Sequence, residues 1–335
     1  MTSHSSGPLQ HDPVTAARAW LAEDGAAALA TVMSTWNSAP VPAGAQLAVA
    51  KDGRFEGSVS GGCIEADVIT AAAGVIASGR GEVLEFGVDH ERAWQAGLAC
   101  GGQIAVYVEP LTRDCDLNYL DTRIEARAKR TSLVVSTALE TGTRTVFTSP
   151  LNAPDGVRDA FTSGECRISG EGRERSFCQA VLPVVHLVIA GATEIGQVLA
   201  RLALPLGWKI SVVDPRAAFA TAERFPGVET HVAWPEAALG ALSLDPRTAV
   251  VALTHASNID DETLTTALSS SCFYAGALGS KRNHAGRVER LKAAGFSADA
   301  IARIRAPAGL DITAKSPAEI AISILAQIVA AQRGG

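Results

Sequence analysis

The 335-residue sequence has no dense set of cysteines, no excess of basic residues and no long apolar run. Its six cysteines are scattered and none forms a Cys-x-x-Cys pair, so neither a secreted disulfide framework nor a structural zinc site is expected. The formal net charge of -6 gives no electrostatic basis for binding nucleic acid. The longest strongly apolar run, Val184 to Ala190, is far shorter than the roughly 20 residues that cross a bilayer, and no membrane contact is expected.

The N-terminal segment also has no basic region followed by an apolar stretch, which argues against a signal peptide. Hydrophobic residues make up 47% of the chain and charged residues 19%, which is a globular composition. These features predict a cytoplasmic protein with reduced thiols. The length is large for one hydrophobic core and suits two.

The pattern of apolar residues changes around residues 181–183, where we place a domain boundary. Residues 1–182 mix predicted helices with hairpins, such as the one that turns at Asp52-Gly53, which indicates an α+β domain. Residues 149–176 within it are predicted as loops with weak strands. Residues 183–335 alternate strands with helices, which is typical of a parallel sheet. The sequence therefore predicts an α/β protein with a C-terminal Rossmann-like sheet and an N-terminal α+β domain.

A glycine-rich loop follows the apolar run Val185 to Ala190, which is typical of a strand buried on both faces. Gly191 permits a tight turn after that strand, and Gly196 lets the next helix pack closely against it. The N-terminus of that helix offers unpaired N–H groups to a phosphate. The following strand ends at Asp214, about 20 residues later, the spacing at which an acid meets a ribose hydroxyl in dinucleotide-binding folds. We therefore expect a phosphate-bearing ligand.

Thr193 stands where the middle glycine of such loops usually lets pyrophosphate approach the backbone. A standard dinucleotide pose is therefore disfavoured, and the Thr193 hydroxyl can donate a hydrogen bond to a phosphate instead. Arg216, just beyond Asp214, is included among the candidate cofactor-binding residues. The competing interpretation is a Rossmann fold whose ligand site is vestigial.

Two later segments also follow predicted strands of the C-terminal sheet. Thr254 and His255 end the strand that begins at Thr248, and residues past the carboxyl ends of parallel strands line the ligand crevice. Gly279-Ser280-Lys281-Arg282 opens a helix and places two cations beside free N–H groups, which predicts an anion site. The alternatives are a histidine bonded into its own loop and a solvated helix start.

Short motifs along nearly the whole chain occur in the order seen in one protein family. Those in the N-terminal half are Ser38-Ala39-Pro40, Pro42-Ala43-Gly44-Ala45, Gly57 to Glu65 and Cys100-Gly101-Gly102. Those in the C-terminal half are Leu253-Thr254-His255, Ala277 to Arg282, Ala306 to Ile312 and Pro317 to Ala321. In these motifs the chain resembles the XdhC/CoxI family.

Members of that family are accessory proteins of molybdenum hydroxylases such as xanthine dehydrogenase. The resemblance implies a chaperone that binds the molybdenum cofactor, as molybdopterin or its cytosine dinucleotide. It also implies that the chaperone protects this cofactor while a cysteine desulfurase installs its sulfido ligand, and then delivers it to the apo-hydroxylase. A homodimer is one possible assembly.

Two cysteines lie in glycine turns. Cys63 follows Gly61-Gly62 at the predicted start of a helix, where unpaired N–H groups and the helix dipole favour the thiolate. Cys100 lies in a similar turn, so the two thiols could flank one site and contact molybdenum or carry a persulfide. Glu65 is a candidate for handling or orienting a proton, with helix capping as the simpler account. For each cysteine, the alternative is an inert buried side chain.

Two other functions are compatible with the same motifs. An NAD(P)-dependent oxidoreductase would use the same crevice, although no acid/base pair for hydride transfer stands out. A protein-interaction subunit would leave the crevice empty. The preferred interpretation is a non-enzymatic cofactor chaperone, in which the Rossmann loops hold the phosphate and Cys63 and Cys100 are presented towards the metal.

Overall fold

A computed structural model describes residues 12–36, 41–87 and 103–334. The chain divides into two compact units between Pro183 and Val184. We refer to the described residues before this division as the first unit and to those after it as the second unit. Each unit has its own sheets and its own buried apolar clusters.

The first unit combines helices with two antiparallel sheets. The described α-helices are α1 (Pro13–Asp24), α2 (Glu65–Ser78), α3 (Arg113–Ala128) and α4 (Asp155–Ser163). The described strands are β1 (Ala26–Trp36), β2 (Gln46–Ala50), β3 (Phe55–Gly57), β4 (Glu82–Phe86), β5 (Gln103–Thr112), β6 (Leu133–Ala138), β7 (Arg144–Phe147), β8 (Arg167–Ser169) and β9 (Ser176–Val181). The strand order is β3-β2-β1-β5-β4 in one sheet and β7-β6-β9-β8 in the other.

Strand β1 is buried on both faces because helices cover both sides of the five-stranded sheet. Ala27 and Leu29 belong to an apolar cluster with residues of α1 and α3. Ala28, Ala30 and Val32 belong to another cluster with residues of α2. This alternation follows from the two-residue period of a strand, which sends successive side chains to opposite faces.

The second unit alternates strands and helices along the chain. Its strands are β10 (His186–Ala190), β11 (Lys209–Val213), β12 (Glu229–His231), β13 (Thr248–Ala252), β14 (Tyr274–Ala277) and β15 (Ile304–Arg305). Its helices are α5 (Glu194–Ala203), α6 (Pro235–Leu242), α7 (Ser257–Leu268), α8 (Lys281–Ala293), α9 (Ala298–Ala302) and α10 (Pro317–Gln332). In the part of the chain that the structure describes, no helix is both long and apolar enough to cross a bilayer.

The six strands of the second unit form one parallel sheet in the order β12-β11-β10-β13-β14-β15. The chain runs outward from β10 to β12, returns to place β13 beside β10, and then runs outward on the other side. This is the strand order of doubly wound dinucleotide-binding folds, which bind ligands where the order reverses. The predicted Rossmann-like sheet and N-terminal α+β domain are confirmed.

Residues 149–176 contain more regular structure than the sequence indicates. Helix α4 and strand β8 lie in this segment, where loops with weak strands are predicted. The buried side chains of α4 are Val157 and Ala160, and Phe161 packs against the same cluster, so the helix has one apolar stripe at helical spacing. The helix ends at Gly164, whose φ of 70° is the left-handed conformation common at helix ends.

The packing of β10 can be tested by a cavity-forming substitution. Ile189 is fully buried in the largest apolar cluster of the second unit. Ile189→Ala is expected to lower the free energy of unfolding of this unit by about 2–5 kcal/mol, because a cavity replaces packed methyl groups. Urea denaturation measures the loss. Ile322→Ala, at a position 51% exposed on α10, is the matched control and should cost less than about 1 kcal/mol. Equal losses for the two variants would contradict the assigned packing.

Candidate functional site

Four neighbouring strands of the second unit end at the same level of the sheet. Ala190 of β10 pairs with Val213 of β11 on one side and with Ala252 of β13 on the other. Ala252 in turn pairs with Ala277 of β14. The loops that follow these strands therefore leave the sheet side by side. They are the segments in which the sequence places its candidate cofactor-binding residues.

Gly191 and Gly196 occupy positions where a side chain would not fit. Gly191 has a φ of 115°, and an added Cβ would lie 2.8 Å from the methyl carbon of Thr254. A Cβ added at Gly196 would lie 2.7 Å from the Gly191 carbonyl oxygen and 3.3 Å from a methyl carbon of Ile189. Glycine at these positions permits the turn, the contact between two loops and the close packing of α5 on β10.

Thr193 is the N-cap residue of α5. Its hydroxyl oxygen accepts a hydrogen bond from the Gly196 amide at 3.2 Å. Capping uses an oxygen lone pair, so the hydroxyl proton remains available to a ligand. The first-turn amides of Glu194 and Ile195 have no intrahelical acceptor. The N-terminus of α5 can therefore receive an anion.

The Asp214 carboxylate is fully buried, and both of its oxygens are occupied. Oδ2 accepts hydrogen bonds from the Ala192 amide at 2.8 Å and from Arg216 Nη2 at 2.7 Å. Oδ1 accepts from the amide and the Nε of Arg216 at 2.9 and 2.8 Å. Burial acts to raise the pKa of Asp214, but the hydrogen bonds from Arg216 and Ala192 hold it below its usual value.

These bonds change the role that the sequence predicts for Asp214. A ribose hydroxyl would find no free oxygen on a carboxylate that is 0% exposed. Asp214 instead joins the glycine loop to Arg216, whose side chain is 39% exposed. The Arg216 guanidinium carbon also lies 4.2 Å from the centre of the Phe219 ring. The group of this pair that a ligand can reach is therefore Arg216.

Thr254 and His255 form a turn that is held by buried charges. Asp260 Oδ1 accepts hydrogen bonds from the Thr254 hydroxyl at 2.7 Å and from its amide at 3.2 Å. Arg287 donates to Asp260 Oδ2 at 3.4 Å. His255 is exposed and has a φ of 62°, in the left-handed region. Asp260 and Arg287 are not among the residues predicted from the sequence. The available signal was an acidic residue in the first turn of a helix just beyond a strand end.

The loop after β14 repeats the arrangement of the loop after β10. Gly279 has a φ of 128°, and Ser280 is the N-cap residue of α8, accepting a hydrogen bond from the Asn283 amide at 3.2 Å. Lys281 is exposed in the first turn. The aligned strand ends thus place two helix N-termini and two reachable cations, Arg216 and Lys281, along one edge of the sheet.

In the first unit, Glu65 organises the loop before α2. Its carboxylate accepts hydrogen bonds from the hydroxyls of Ser58 and Ser60 and from the amides of Val59, Ser60 and Gly62. Burial favours the neutral acid, but these bonds lower the pKa of Glu65 to about 2. Glu65 is therefore ionised at neutral pH and holds the preceding loop, rather than capping α2 as the simpler account had it.

Cys63 is exposed on that loop, just before α2. Its amide and that of Ile64 donate to Ser60 Oγ at 2.9 and 3.0 Å. These two amides are thus already bonded, whereas no side chain caps the first turn of α2. Cys100 lies outside the described residues, so its predicted proximity to Cys63 stays a prediction. Among the described side chains, no group of three or more histidines, cysteines or acids is arranged to hold a metal ion.

Two family models match the chain. The model described as the XdhC Rossmann domain matches residues 187–328, and the model described as the XdhC and CoxI family matches residues 20–87. The first match spans the parallel sheet and the loops at its carboxyl edge. The second includes β1 and the loop that carries Cys63 and Glu65.

Similar proteins also match over most of the chain. A protein of Escherichia coli named molybdenum cofactor insertion chaperone PaoD is 30% identical over 310 residues, covering 90% of this chain and 82% of that protein. A protein of Bacillus subtilis, named as a probable subunit of xanthine dehydrogenase, is 28% identical over 314 residues, covering 90% of this chain and 92% of that protein. A crystal structure from Bacillus halodurans, described as a xanthine dehydrogenase, shares the fold with a TM-score of 0.77 and 24% identity over 96% of both chains.

The contacts of Asp214 predict a pH-dependent contribution to stability. Asp214→Asn is expected to destabilise the second unit by about 1–3 kcal/mol at pH 7, because an amide cannot accept all the bonds that two carboxylate oxygens accept. The pKa of folded Asp214 is lowered, so its contribution is present at neutral pH and is lost as the pH falls below about 4. Urea denaturation at pH 7 and pH 3 measures both effects. If the unfolding free energies of the unmodified protein and Asp214→Asn differ as much at pH 3 as at pH 7, the carboxylate charge is not involved.

Proposed function

The chain belongs to the XdhC and CoxI family, and from this premise we propose that it handles the molybdenum cofactor as cargo for a molybdenum hydroxylase. A relative over most of its length is named a molybdenum cofactor insertion chaperone. The cargo is molybdopterin or its cytosine dinucleotide. The chain holds it while a cysteine desulfurase installs the sulfido ligand, and then passes it to the apo-hydroxylase. The observation that carries this proposal is the alignment of four strand ends beside two helix N-termini.

The groups at this edge suit the phosphate of such a cargo. The ends of α5 and α8 offer first-turn amides, and an anion there is stabilised by the helix dipole. Arg216 and Lys281 add positive charge that a ligand can reach. Asp214 does not oppose the phosphate directly, because Arg216 and the Ala192 amide already neutralise and cover its carboxylate.

A carrier must also release what it binds. The cationic groups available here are exposed, so their attraction for a phosphate is screened by water and salt and stays moderate. The loops themselves are fixed by hydrogen bonds before any ligand arrives, which reduces the entropy lost on binding. These properties favour reversible holding over a bond-making reaction.

Cys63 is proposed as the group that contacts the molybdenum or carries sulfur. Its thiol is exposed, as either role requires. The backbone beneath it is held by Ser60 and by the ionised Glu65, so the thiol stands on an ordered loop. The role of Glu65 in this proposal is to maintain that loop.

Lys281→Ala tests the phosphate site. We expect about a tenfold increase in Kd for molybdopterin, equivalent to about 1.4 kcal/mol, because one cation at the helix end is removed. Anaerobic isothermal titration of the full chain measures it. Lys209→Ala is the matched control, since Lys209 lies at the opposite end of the same sheet. Equal Kd values for the two variants would contradict the site. Tight binding of NADH with none of molybdopterin would favour the oxidoreductase instead.

Cys63→Ser separates cargo binding from cargo processing. The variant is expected to bind metal-free molybdopterin with an unchanged Kd, because the residues proposed to bind the phosphate lie in the second unit. It is expected to activate an apo-hydroxylase at least about tenfold less, since the thiol is replaced by a poor metal ligand. Client activity after anaerobic reconstitution is the measurement, with the exposed Cys115→Ser as the control. Full activation by Cys63→Ser would exclude a role for this thiol.

A further inference from the structure

The loop between β11 and β12, residues 214–228, carries side chains that the phosphate site leaves unused. Ala220 and Phe225 anchor this loop, since both are buried in the largest apolar cluster of the second unit. Phe219 lies in the same loop, and its side chain is 39% exposed. The loop is therefore fixed from beneath, while one of its aromatic rings stays accessible to a ligand.

Two guanidinium groups share the ring of Phe219. Their central carbons lie 4.2 Å (Arg216) and 5.2 Å (Arg224) from the ring centre. Arg224 Nη1 also donates a hydrogen bond to the Phe219 carbonyl oxygen at 2.9 Å. Attraction between a guanidinium group and an aromatic ring holds both cations in place. We refer to Arg216, Phe219 and Arg224 as the Phe219 cluster.

The two arginines of the Phe219 cluster differ in what they already bind. Arg216 donates to both carboxylate oxygens of Asp214. Arg224 forms no ion pair with a carboxylate of the described residues, and it is only partly buried. The N–H groups of a guanidinium match the oxygens of a phosphate in pairs. Arg224 therefore has donors available for a phosphate beyond the one placed at the α5 terminus.

The Phe219 cluster lies on the outer side of the α5 terminus. The strand order places β11 between β10 and the edge strand β12. The Asp214 amide donates to the His231 carbonyl oxygen at 3.1 Å, so the loops after β11 and β12 begin side by side. The loop after β12 exposes Trp234, whose side chain is 49% accessible. A ligand that extends outward from the α5 terminus thus passes two guanidinium groups and then an open indole ring.

We propose that this outer part of the edge binds the nucleotide half of a dinucleotide. The second phosphate lies at Arg216 and Arg224, and the planar base stacks on Trp234, since stacking on an exposed aromatic ring is available to every base. The inference rests on the proposed function and deepens it. It selects the cytosine dinucleotide as the cargo, because molybdopterin has a single phosphate and no nucleoside to place on these groups.

Cytidine diphosphate is the probe, because it carries two phosphates and the base, and isothermal titration of the full chain is the measurement. Arg224→Ala is expected to raise its Kd about tenfold, since a charged donor to phosphate is lost. Trp234→Ala is expected to raise it about tenfold through the loss of stacking. Neither variant should change the Kd of metal-free molybdopterin, which also shows that each variant is folded. Arg201→Ala, exposed in the last turn of α5, is the matched control and should change neither Kd.

Inorganic pyrophosphate separates the base from the phosphates. The unmodified chain is expected to bind cytidine diphosphate at least about tenfold more tightly than pyrophosphate, because only the nucleotide can stack. The Kd of pyrophosphate should rise in Arg224→Ala and stay unchanged in Trp234→Ala. The comparison of the two probes on the unmodified chain does not depend on how any variant folds.

Three results would overturn the nucleotide subsite. These are an unchanged Kd for cytidine diphosphate in Arg224→Ala, equal affinity of the unmodified chain for the nucleotide and pyrophosphate, and failure of the nucleotide to displace metal-free molybdopterin. Each of them leaves molybdopterin binding, and with it the proposed function, intact. A chain that binds no molybdopterin would instead overturn the proposed function, and dependence of nucleotide binding on Arg224 and Trp234 would still support the nucleotide subsite.

Discussion

The buried carboxylate of Asp214 joins the first two loops at the carboxyl edge of the parallel sheet. It receives the Ala192 amide from the loop after β10 and the Arg216 guanidinium from its own loop after β11. Because the carboxylate is removed from water, these charge-assisted bonds are less screened than those of an exposed ion pair. The path of the glycine loop and the position of the reachable cation both depend on them.

Direct contacts connect the loops held by Asp214 to the next loop along the edge of the sheet. Gly191 adjoins Thr254 so closely that a methyl group cannot be inserted between them. Thr254 is held in turn by Asp260, which pairs with Arg287 of α8. Three loops from three neighbouring strands are thus connected before a ligand binds. A site preorganised in this way gives up little conformational entropy on binding, which suits a protein whose task is to hold a cargo and release it.

The first unit contains two carboxyl groups in contrasting environments. Glu65 is surrounded by hydroxyl and amide donors, stays ionised and fixes the loop that carries Cys63. Glu109 has Arg144 beside it but accepts no hydrogen bond from a described residue, and burial raises its pKa. A carboxylate with all its bonds made maintains structure.

The sequence by itself determined the order of elements in the second unit, the turn at Gly191, the close packing at Gly196 and the helix starts at Thr193 and Ser280. Those features depend on local backbone conformation and on the period of apolar residues, which neighbouring positions encode. The sequence also marked Asp214 as important, through its spacing from the glycine loop.

Only the tertiary structure decided what these side chains contact. Asp214 turned out to bind Ala192 and Arg216, because the parallel register brings the ends of β10 and β11 together. The Asp260–Arg287 pair joins two different helices, and no spacing rule relates these residues. The short helix α4 was not predicted, because its segment is rich in glycine, serine, proline and charged residues, which favour loops. Hydrogen-bond partners of buried charges are set by which strands pair, and pairing depends on the whole chain.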